Sequence, residues 1–271
     1  MASQTEKAET FRKLHQSGTF VIPNPWDISS AKMLEAWGAK ALATTSAGFA
    51  FTLGKPDGDN VVSREETLAN FGAIAAATNL PVSADLQGCF GRDPKVVAET
   101  IRLAGAAGLV GGSCEDAVGE ILDIGLAKER VAAAVEAARA MNFPFTLTAR
   151  AENFLWGKKD LADTIKRLQS FQEAGADVLF APGLSSEADI ASVVKSVDRP
   201  VNVLIGPSTN PLTVADMARL GVRRLSVGSG LYLAAMGGFQ HAAKTLLEQG
   251  KVDYGAVMPY GTLQGMFGAK A

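Results

Sequence analysis

The sequence predicts an α/β protein that folds as one closed barrel of eight parallel strands and eight helices, a (β/α)8 TIM barrel. Short apolar runs rich in β-branched residues recur at a spacing of roughly 30 residues, and a helical pattern follows each run. Glycine or proline marks most of the helix–strand junctions. Barrels of this kind typically need about 250 residues, and the chain has 271. We therefore expect a single domain over residues 1–271.

Each predicted strand is a continuous or nearly continuous apolar run, as expected for parallel strands that are covered on both faces. The runs are "TFVIP" (19–23), "ALATTS" (41–46), "PVSADL" (81–86), "LVGGSCE" (109–115), "PFTLTAR" (144–150), "DVLFAP" (177–182), "PVNVLIG" (200–206) and "RLSVGS" (224–229). The alternative is an open doubly wound sheet, which would need a phosphate-binding turn such as GxGxxG after an early strand. No early strand supplies that turn, and the closed barrel is favoured.

The helical patterns carry start signals of their own. Ser63 and Glu66 form a capping box, and Asp93 precedes Pro94, a residue favoured at the first helical position. Residues 229–271 follow the last strand and form an extended C-terminal helical segment that includes "LYLAAMGGFQHAAKTLLEQG". This segment is more apolar than a solvated terminal helix requires, which predicts a contact with another subunit.

Composition and charge argue against several classes of protein. The formal net charge is −2, the pI is about 5.8 and the basic residues form no block, so we expect no nucleic acid and no membrane partner. No apolar run reaches the roughly 18 residues that cross a bilayer, and the polar start lacks a signal core. Cys89 and Cys114 lack CxxC spacing and are expected to be inert packing residues. We expect a soluble, cytoplasmic protein.

Polar residues collect where the predicted strands end. In a barrel of this type the loops after the strands form the catalytic face. The starts of the strands offer mostly proline, alanine, lysine and arginine. The polar or turn residues at the strand ends are Asn24, Trp26, Asp27, Thr45, Ser46, Gly48, Asp85, Gln87, Glu115, Asp116, Arg150, Glu152, Pro182, Asn202, Ser208, Gly228 and Ser229. This asymmetry predicts an active site for a small molecule at the carboxyl ends of the strands.

Two carboxylates in this set suggest a metal. Asp85 and Glu115 each follow an apolar run directly, and a lone carboxylate there is costly to desolvate without a partner. Mg²⁺ typically takes one or two carboxylates and completes its shell with water and substrate oxygens. We predict that Asp85 and Glu115 bind Mg²⁺, with Mn²⁺ as an alternative. Arg150, on the next strand, can clamp a substrate carboxylate bidentately; its alternative role is an ion pair with Glu115 or Glu152.

Other polar residues have structural alternatives. Asp27 is expected to cap a helix, and Asp116 either belongs to the site or accepts hydrogen bonds from loop amides. His15 and His241 fall in the first and last helical patterns, away from the strand ends. A zinc site or a Ser-His-Asp system would need a histidine near those ends, so both are excluded.

Five stretches of the chain, in order, resemble the isocitrate lyase/phosphoenolpyruvate mutase superfamily. They are "NPWDISSAKMLEAWGAKALATTSAGFAFTLGKPDG", "PVSADLQGCFG", "CEDAVG", "TARAENFL" and "VNVLIGP", and the resemblance runs from about residue 19 to about residue 240. It implies a (β/α)8 barrel that binds Mg²⁺ and a small 2-oxo or 2-hydroxy acid. It also implies that a C–C or P–C bond is made or broken through an enolate of the pyruvate type. Because members exchange their last helices, it further implies a homo-oligomer, a dimer of dimers.

The resemblance assigns roles to individual residues. Asp57, in "GKPDG", matches the acid of a mobile lid, Asp85 matches the carboxylate nearest the metal, and Glu115 matches a carboxylate in its inner or outer shell. Arg150 matches an arginine that steadies substrate charge. The substrate-binding set is expected to comprise Trp26, Ser46, Ala47, Gly48, Phe49, Arg150 and Asn202, with Ser46, Gly48, Asp57 and Arg150 taking part in catalysis.

Two departures from the family pattern limit which of the family's reactions can be expected for this chain. Gln87 stands where many members have a second acid, two residues after the metal aspartate. The Lys-Lys/Arg-Cys-Gly-His segment of lyases that act on isocitrate or methylisocitrate is replaced by "EDAVGEILDIGLAKERV", so we expect no efficient isocitrate cleavage. The lid sequence "FAFTLGKPDG" offers mainly Lys55 to a phosphonate. We therefore favour a carboxylate substrate that releases pyruvate or a relative.

Three alternatives remain open. Phosphonopyruvate hydrolase or phosphoenolpyruvate mutase chemistry would break or move a P–C bond. The turns "IGPS" and "VGSG", after the seventh and eighth strands, lie where barrels often bind a phosphate or flavin mononucleotide, although the second can equally be a tight turn into the last helix. Gln87 gives some weight to a non-catalytic barrel that only binds a ligand.

Overall fold

The computed structural model describes residues 2–206 and 212–268 and confirms the barrel. All eight predicted strands form, each shorter than its apolar run, and every pairing between them is parallel. The strands are β1 (Phe20–Ile22), β2 (Leu42–Ala43), β3 (Val82–Ala84), β4 (Gly111–Glu115), β5 (Thr146–Arg150), β6 (Val178–Phe180), β7 (Val201–Leu204) and β8 (Arg224–Ser226).

The sheet closes on itself. Its strand order runs from β1 through β8, β7 and so on to β2, so the first strand pairs with the last. The remaining gap, between β1 and β2, is bridged by a backbone hydrogen bond in which Ala43 N donates to Pro23 O at 3.1 Å. The side chain of Asn24 spans the same gap and donates to Thr44 O at 2.9 Å. The barrel is therefore nearly closed, and all its strands end at the same face.

The helices follow the predicted pattern with a few additions. They are α1 (Gln4–Leu14), α2 (Ile28–Ala36), α3 (Ser46–Thr52), α4 (Arg64–Ala76), α5 (Pro94–Ala106), α6 (Ile124–Arg139), α7 (Leu161–Glu173), α8 (Glu187–Lys195), α9 (Val214–Arg219), α10 (Gly230–Gln249) and α11 (Tyr260–Phe267). The capping box of Ser63 and Glu66 forms, and Asp27 caps α2. The short helix α3 was not predicted. It begins because the hydroxyl of Thr45 accepts a hydrogen bond from Gly48 N at 3.1 Å.

The hydrophobic core lies mainly between the barrel and its surrounding helices. Leu42, Phe71, Ile101, Phe145 and Phe171 are fully buried there. The cavity inside the barrel is different, because small polar side chains contribute much of its wall; they are Ser83, Ser113, Thr148, Asn202 and Ser226. Bulky branched residues usually fill this space in such barrels. The sequence therefore keeps the barrel's interior partly open and polar.

The C-terminal helices leave much apolar surface in water. Tyr232 is the one residue of α10 that is buried, whereas Phe239 is 68% exposed and Leu247 83% exposed. On α11, Tyr260 is 82% exposed, and this helix packs beside α2. Within the described ranges, no helix is both long and apolar enough to cross a membrane.

Candidate active site

The carboxyl ends of the strands surround a cavity of about 480 Å³. Loops after several different strands contribute to its wall, as the position of polar residues in the sequence predicts. The predicted site residues that line it are Ser46, Ala47, Asp57, Asp85, Glu115, Arg150 and Asn202, and Gln87 lines it as well. The structure therefore gathers in one place residues that are separated by as many as 156 positions in the chain.

Arg150 is the centre of the site. Its Nη1 lies 2.9 Å from Asp85 Oδ1 and 2.9 Å from Glu115 Oε1, and its Nε donates to Glu152 Oε1 at 2.8 Å. The guanidinium also lies over the ring of Phe180, 5.1 Å from its centroid. Burial opposes the positive charge, but the three carboxylates outweigh it and raise the pKa of Arg150. The ion pair that was the alternative role for Arg150 is therefore present, and it extends to Asp85 as well.

Asp85 is held in one orientation by neighbouring donors. Its Oδ2 accepts hydrogen bonds from Ser46 N at 3.0 Å and from Ser46 Oγ at 2.9 Å. Its Oδ1, besides contacting Arg150, is 3.4 Å from Ser113 Oγ. Its own backbone N donates to Thr44 Oγ1 at 2.9 Å. Because α3 begins at Ser46, the first turn of that helix orients the carboxylate predicted to lie nearest the metal.

The two glutamates around Arg150 are unusually easy to protonate. Burial raises the pKa of Glu115 well above its ordinary value, although the charge on Arg150 opposes this shift. Burial likewise raises the pKa of Glu152, again against the effect of Arg150. Three carboxylates thus share one cation, and the cluster carries an excess of negative charge when all of them are ionised.

Asp116 has a structural role. Its Oδ1 accepts from Glu152 N at 2.8 Å and its Oδ2 from Arg167 Nη1 at 3.0 Å. Asp116 is 2% exposed and does not line the cavity. It fastens the loop after β5, so the sequence-based alternative that it bonds loop amides is the arrangement observed.

The loop that carries Asp57 covers one side of the cavity. Gln87 Nε2 lies 3.3 Å from Asp57 Oδ1 and 3.4 Å from Gly58 O, and Asp59 accepts a hydrogen bond from Gly119 N. Burial and the charge of Asp85 raise the pKa of Asp57, while Arg150 acts against them. Gln87 has a φ of 50°, in the left-handed region that non-glycine residues seldom adopt. A strained backbone thus aims this amide at the loop.

Three predicted substrate-binding residues lie behind the wall and do not line it. The Gly48 N–H is used by Thr45, Phe49 packs against Phe71 with 6.1 Å between ring centroids, and Trp26 packs against Tyr232 at 5.4 Å. Gly48 and Phe49 lie on α3, Trp26 lies just before α2, and in this structure all three make capping or packing contacts, so their part in substrate binding stays a prediction.

The turns proposed to bind phosphate are only partly described. Ser208, in "IGPS", lies outside the described residues. In the other turn, Val227 N and Gly228 N both donate to Asn24 Oδ1, at 2.9 and 3.0 Å. Gly230 N donates to Val227 O at 3.0 Å. The "VGSG" segment is therefore a tight turn into α10 with three of its amides already bonded, which disfavours a phosphate at those three amides.

The two cysteines and the two histidines do not line the cavity. Cys89 and Cys114 are buried free thiols, and Cys89 Sγ lies 3.6 Å from Ser113 O. His241 is exposed and lies 3.4 Å from Asp253. His15 is buried beneath the barrel, where its Nδ1 lies 2.8 Å from Phe11 O. Neither histidine lines the cavity.

Sequence reasoning missed several residues of the cavity wall. Thr44, Ser113, Trp156, Phe180 and Arg224 all line it. Thr44 and Ser113 lie inside apolar runs, and Arg224 begins a strand, so a search restricted to strand ends passes over them. The inward face of a strand repeats every second residue. Counting back by two from Glu115 and from Arg150 would have found Ser113 and Thr148.

The donor set of the cavity suits a hard divalent cation. In the described parts of the chain, no three His, Cys, Asp or Glu side chains are grouped so as to hold a metal by themselves. Mg²⁺ does not require such a group, because it commonly binds one or two carboxylates, water and substrate oxygens. Asp85 and Glu115 both face the same guanidinium nitrogen, and the Gln87 side chain and Ser46 hydroxyl add oxygen donors nearby. These residues fit the predicted metal.

Comparison with known proteins gives the family. A crystal structure from Burkholderia cenocepacia J2315, of a protein assigned as a lyase or mutase, is 49% identical, covers 98% of both chains and has a TM-score of 0.96. The uncharacterized protein Rv1998c of Mycobacterium tuberculosis is 33% identical over 94% of this chain and 95% of its own. The 2,3-dimethylmalate lyase of Eubacterium barkeri is 27% identical over 74% of this chain and 73% of that enzyme.

A more distant structure shows the same fold with a metal. It is phosphonopyruvate hydrolase in complex with oxalate and Mg²⁺, which is 24% identical, covers 96% of this chain and 94% of that one, and has a TM-score of 0.85. The sequence profile of the family described as phosphoenolpyruvate phosphomutase matches residues 11–247, most of the chain. The chain therefore belongs to the phosphoenolpyruvate mutase family, within the isocitrate lyase/phosphoenolpyruvate mutase superfamily of enzymes.

Proposed function

We propose that this protein is a Mg²⁺-dependent lyase that cleaves a C–C bond of a small 2-oxo or 2-hydroxy acid and releases pyruvate or a close relative. The observation that carries the proposal is the bridge of Arg150 to Asp85 and Glu115, at 2.9 Å each, inside a cavity that a loop covers. A buried cation among an excess of carboxylates suits a substrate that brings both an anionic carboxylate and a divalent ion.

Asp85 and Glu115 would hold the metal, which when bound supplies a Lewis acid for the oxygen that gains charge during cleavage. Ser46 fixes Asp85 through its amide and hydroxyl, so this carboxylate needs no reorganisation during the reaction. Arg150 has donors that can turn from a carboxylate of the protein to a carboxylate of the substrate. Together these residues stabilise negative charge at one point of the cavity.

Asp57 and Gln87, the residues of the lid contact, keep water from the reacting substrate and govern proton transfer to it. Breaking the bond leaves an electron pair that is delocalised as an enolate, and water would protonate that species early. Asp57 has a raised pKa, so it holds a proton more readily than an ordinary aspartate. It is therefore suited to exchange a proton with the substrate while Gln87 keeps the loop in place.

A carboxylate substrate is favoured over a phosphonate. Lys55, the cation nearest to the lid acid in sequence, does not line the cavity and lies 3.5 Å from Glu66. A phosphonate carries more negative charge than a carboxylate and would need further cations. The second candidate function is P–C chemistry of the phosphonopyruvate hydrolase or mutase type. The shared Arg150 and metal residues support it, and the missing lid cation counts against it.

The test is a panel of 2-oxo acids, 2-hydroxy diacids and phosphonopyruvate, assayed for release of pyruvate or another 2-oxo acid. Each compound is tested with Mg²⁺, with Mn²⁺ and with chelator. Asp85→Ala is compared with Asp198→Ala, a change of an exposed aspartate outside the cavity. Turnover of a carboxylate that needs the metal and is lost only in Asp85→Ala supports the proposal. Turnover of phosphonopyruvate alone supports the second candidate. No turnover and no Mg²⁺ binding would leave a ligand-binding barrel.

We also propose that the chain forms a homo-oligomer, a dimer of dimers, through α10 and α11. The support is the exposed apolar surface of these helices, including Phe239, Leu247 and Tyr260. Large exposed apolar patches commonly mark an interface between protein molecules.

A further inference from the structure

Arg224 is a buried cation without a carboxylate partner. It begins β8, is 5% exposed and lines the cavity from within the barrel. Arg150 contacts three carboxylates and the buried Arg167 contacts two, whereas no described carboxylate lies within 4.0 Å of Arg224. A buried charge without an opposite partner is strongly destabilising, because its lost hydration is not compensated.

The partners of Arg224 are all neutral. Its Nε donates to Asn202 Oδ1 at 2.9 Å and its Nη2 to Thr148 Oγ1 at 3.0 Å, while Nη1 lies 3.5 Å from His15 Nε2. Burial and the charge on Arg224 lower the pKa of His15 to about 3, so the imidazole is uncharged at neutral pH. A guanidinium has five N–H donors. These contacts occupy three, which leaves one donor on each terminal nitrogen.

The cavity extends from the Arg150 cluster towards Arg224. Thr148 and Arg150 lie two residues apart on β5 and therefore point to the same side, roughly 6.6 Å apart along the strand. Arg224 bonds to Thr148, so its guanidinium lies about one layer deeper than Arg150. The cavity wall also includes Ser83, Ser113 and Ser226, all small side chains that leave room between the two arginines. Two cationic groups thus face one cavity at a spacing that suits the two ends of a short diacid.

We propose that Arg224 binds the second carboxylate of a dicarboxylic substrate, and so makes the enzyme selective for short diacids over monoacids. The proposal rests on the proposed function, which places the reacting end of the substrate at Arg150. Asn202 and Thr148 hold the guanidinium in place, and a carboxylate can accept its two remaining N–H donors at once. The second carboxylate of the substrate thereby provides the negative charge that no described carboxylate of the protein provides beside Arg224.

The test compares succinate with butyrate, a monoacid of the same length, by calorimetric titration of the whole protein with Mg²⁺ present. The wild type is expected to bind succinate at least about 30-fold more tightly, as a desolvated charge pair would require. In Arg224→Met this preference should disappear through weaker succinate binding, while butyrate binding stays unchanged. The control is Arg223→Met, which removes the neighbouring arginine, a residue that does not line the cavity; it should keep the preference.

Equal binding of succinate by the wild type and a folded Arg224→Met protein would overturn the proposal. If Arg224→Met does not fold, the wild type decides the question, since equal affinity for succinate and butyrate overturns it without any variant. Binding is measured without turnover, so it separates the two proposals. A diacid preference that needs Arg224, in a protein that turns over nothing, supports the subsite while the proposed reaction fails. If the protein turns over diacids and monoacids equally well, and Arg224→Met does not change this, the proposed reaction is supported and the Arg224 subsite is not.

Discussion

Arg150 and Asp85, 65 residues apart in the chain, meet at 2.9 Å inside the barrel, and Glu115 lies at the same distance from the same nitrogen. The three residues come from the ends of the neighbouring strands β3, β4 and β5. This contact has consequences for stability, pH dependence and metal binding that can each be measured.

Arg150→Met is expected to destabilise the fold. The change leaves Asp85, Glu115 and Glu152 without their shared cation, and breaking a buried pair typically costs about 3–5 kcal/mol. Denaturant unfolding at pH 7.5 measures the loss. The control is Arg139→Met, which breaks an exposed pair with Asp177 and is expected to cost about 1 kcal/mol or less. Similar losses in the two variants would contradict the role given to Arg150.

Stability should fall as pH rises above the range where free glutamate titrates. Burial raises the pKa of Glu115 in the folded protein above its ordinary value of 4.5. The folded state therefore binds this proton more tightly than the unfolded state does. The resulting stabilisation is complete below the unfolded pKa and is lost as pH rises through the folded pKa.

Glu115→Gln tests this linkage. The free energy of unfolding, followed from pH 4 to pH 9, should fall less steeply in the variant than in the wild type. Glu129→Gln, which changes an exposed glutamate of α6, should leave the wild-type slope intact. An unchanged slope in Glu115→Gln would show that Glu115 does not carry the shift.

Gln87→Glu should strengthen metal binding and weaken the lid. The added carboxylate lies two residues from Asp85 and should raise Mg²⁺ affinity about ten-fold. The same change replaces the amide that donates to Asp57 by a like charge, so the lid should open and kcat should fall. Calorimetry and steady-state kinetics measure the two effects, with the exposed Gln169→Glu as control. If Gln87→Glu bound Mg²⁺ more tightly and also had a higher kcat, the view that the Gln87 amide holds the lid in place would be contradicted.

Phe239→Glu in α10 should dissociate the proposed oligomer. Phe239 is 68% exposed, and a charge introduced into an apolar interface opposes association. Light scattering should give a multiple of 28.2 kDa for the wild type and a smaller mass for the variant. Val214→Glu, at an exposed apolar position of α9, should keep the wild-type mass. A wild-type mass of 28.2 kDa would end the oligomer proposal.

The barrel could be predicted from sequence because its signals are local. Apolar runs, capping residues such as Ser63 and glycine or proline junctions each act within a few residues. The clustering of Asp85, Glu115 and Arg150 followed from the rule that parallel strands end at one face. The pairing partners did not follow, since carboxylates near an arginine can bind it, a metal or both. Arg224 was missed because its significance depends on what lies opposite it across the barrel.

Exchange of the methyl protons of pyruvate in D2O, followed by proton NMR, tests directly whether this cavity stabilises an enolate. A site that stabilises a pyruvate-type enolate should exchange these protons without any knowledge of the natural substrate. We predict exchange that requires Mg²⁺, stops with chelator and is lost in Asp85→Asn but not in Asp198→Asn. Exchange no faster than in buffer, with Mg²⁺ and pyruvate at saturating concentrations, would contradict the claim that this cavity forms an enolate.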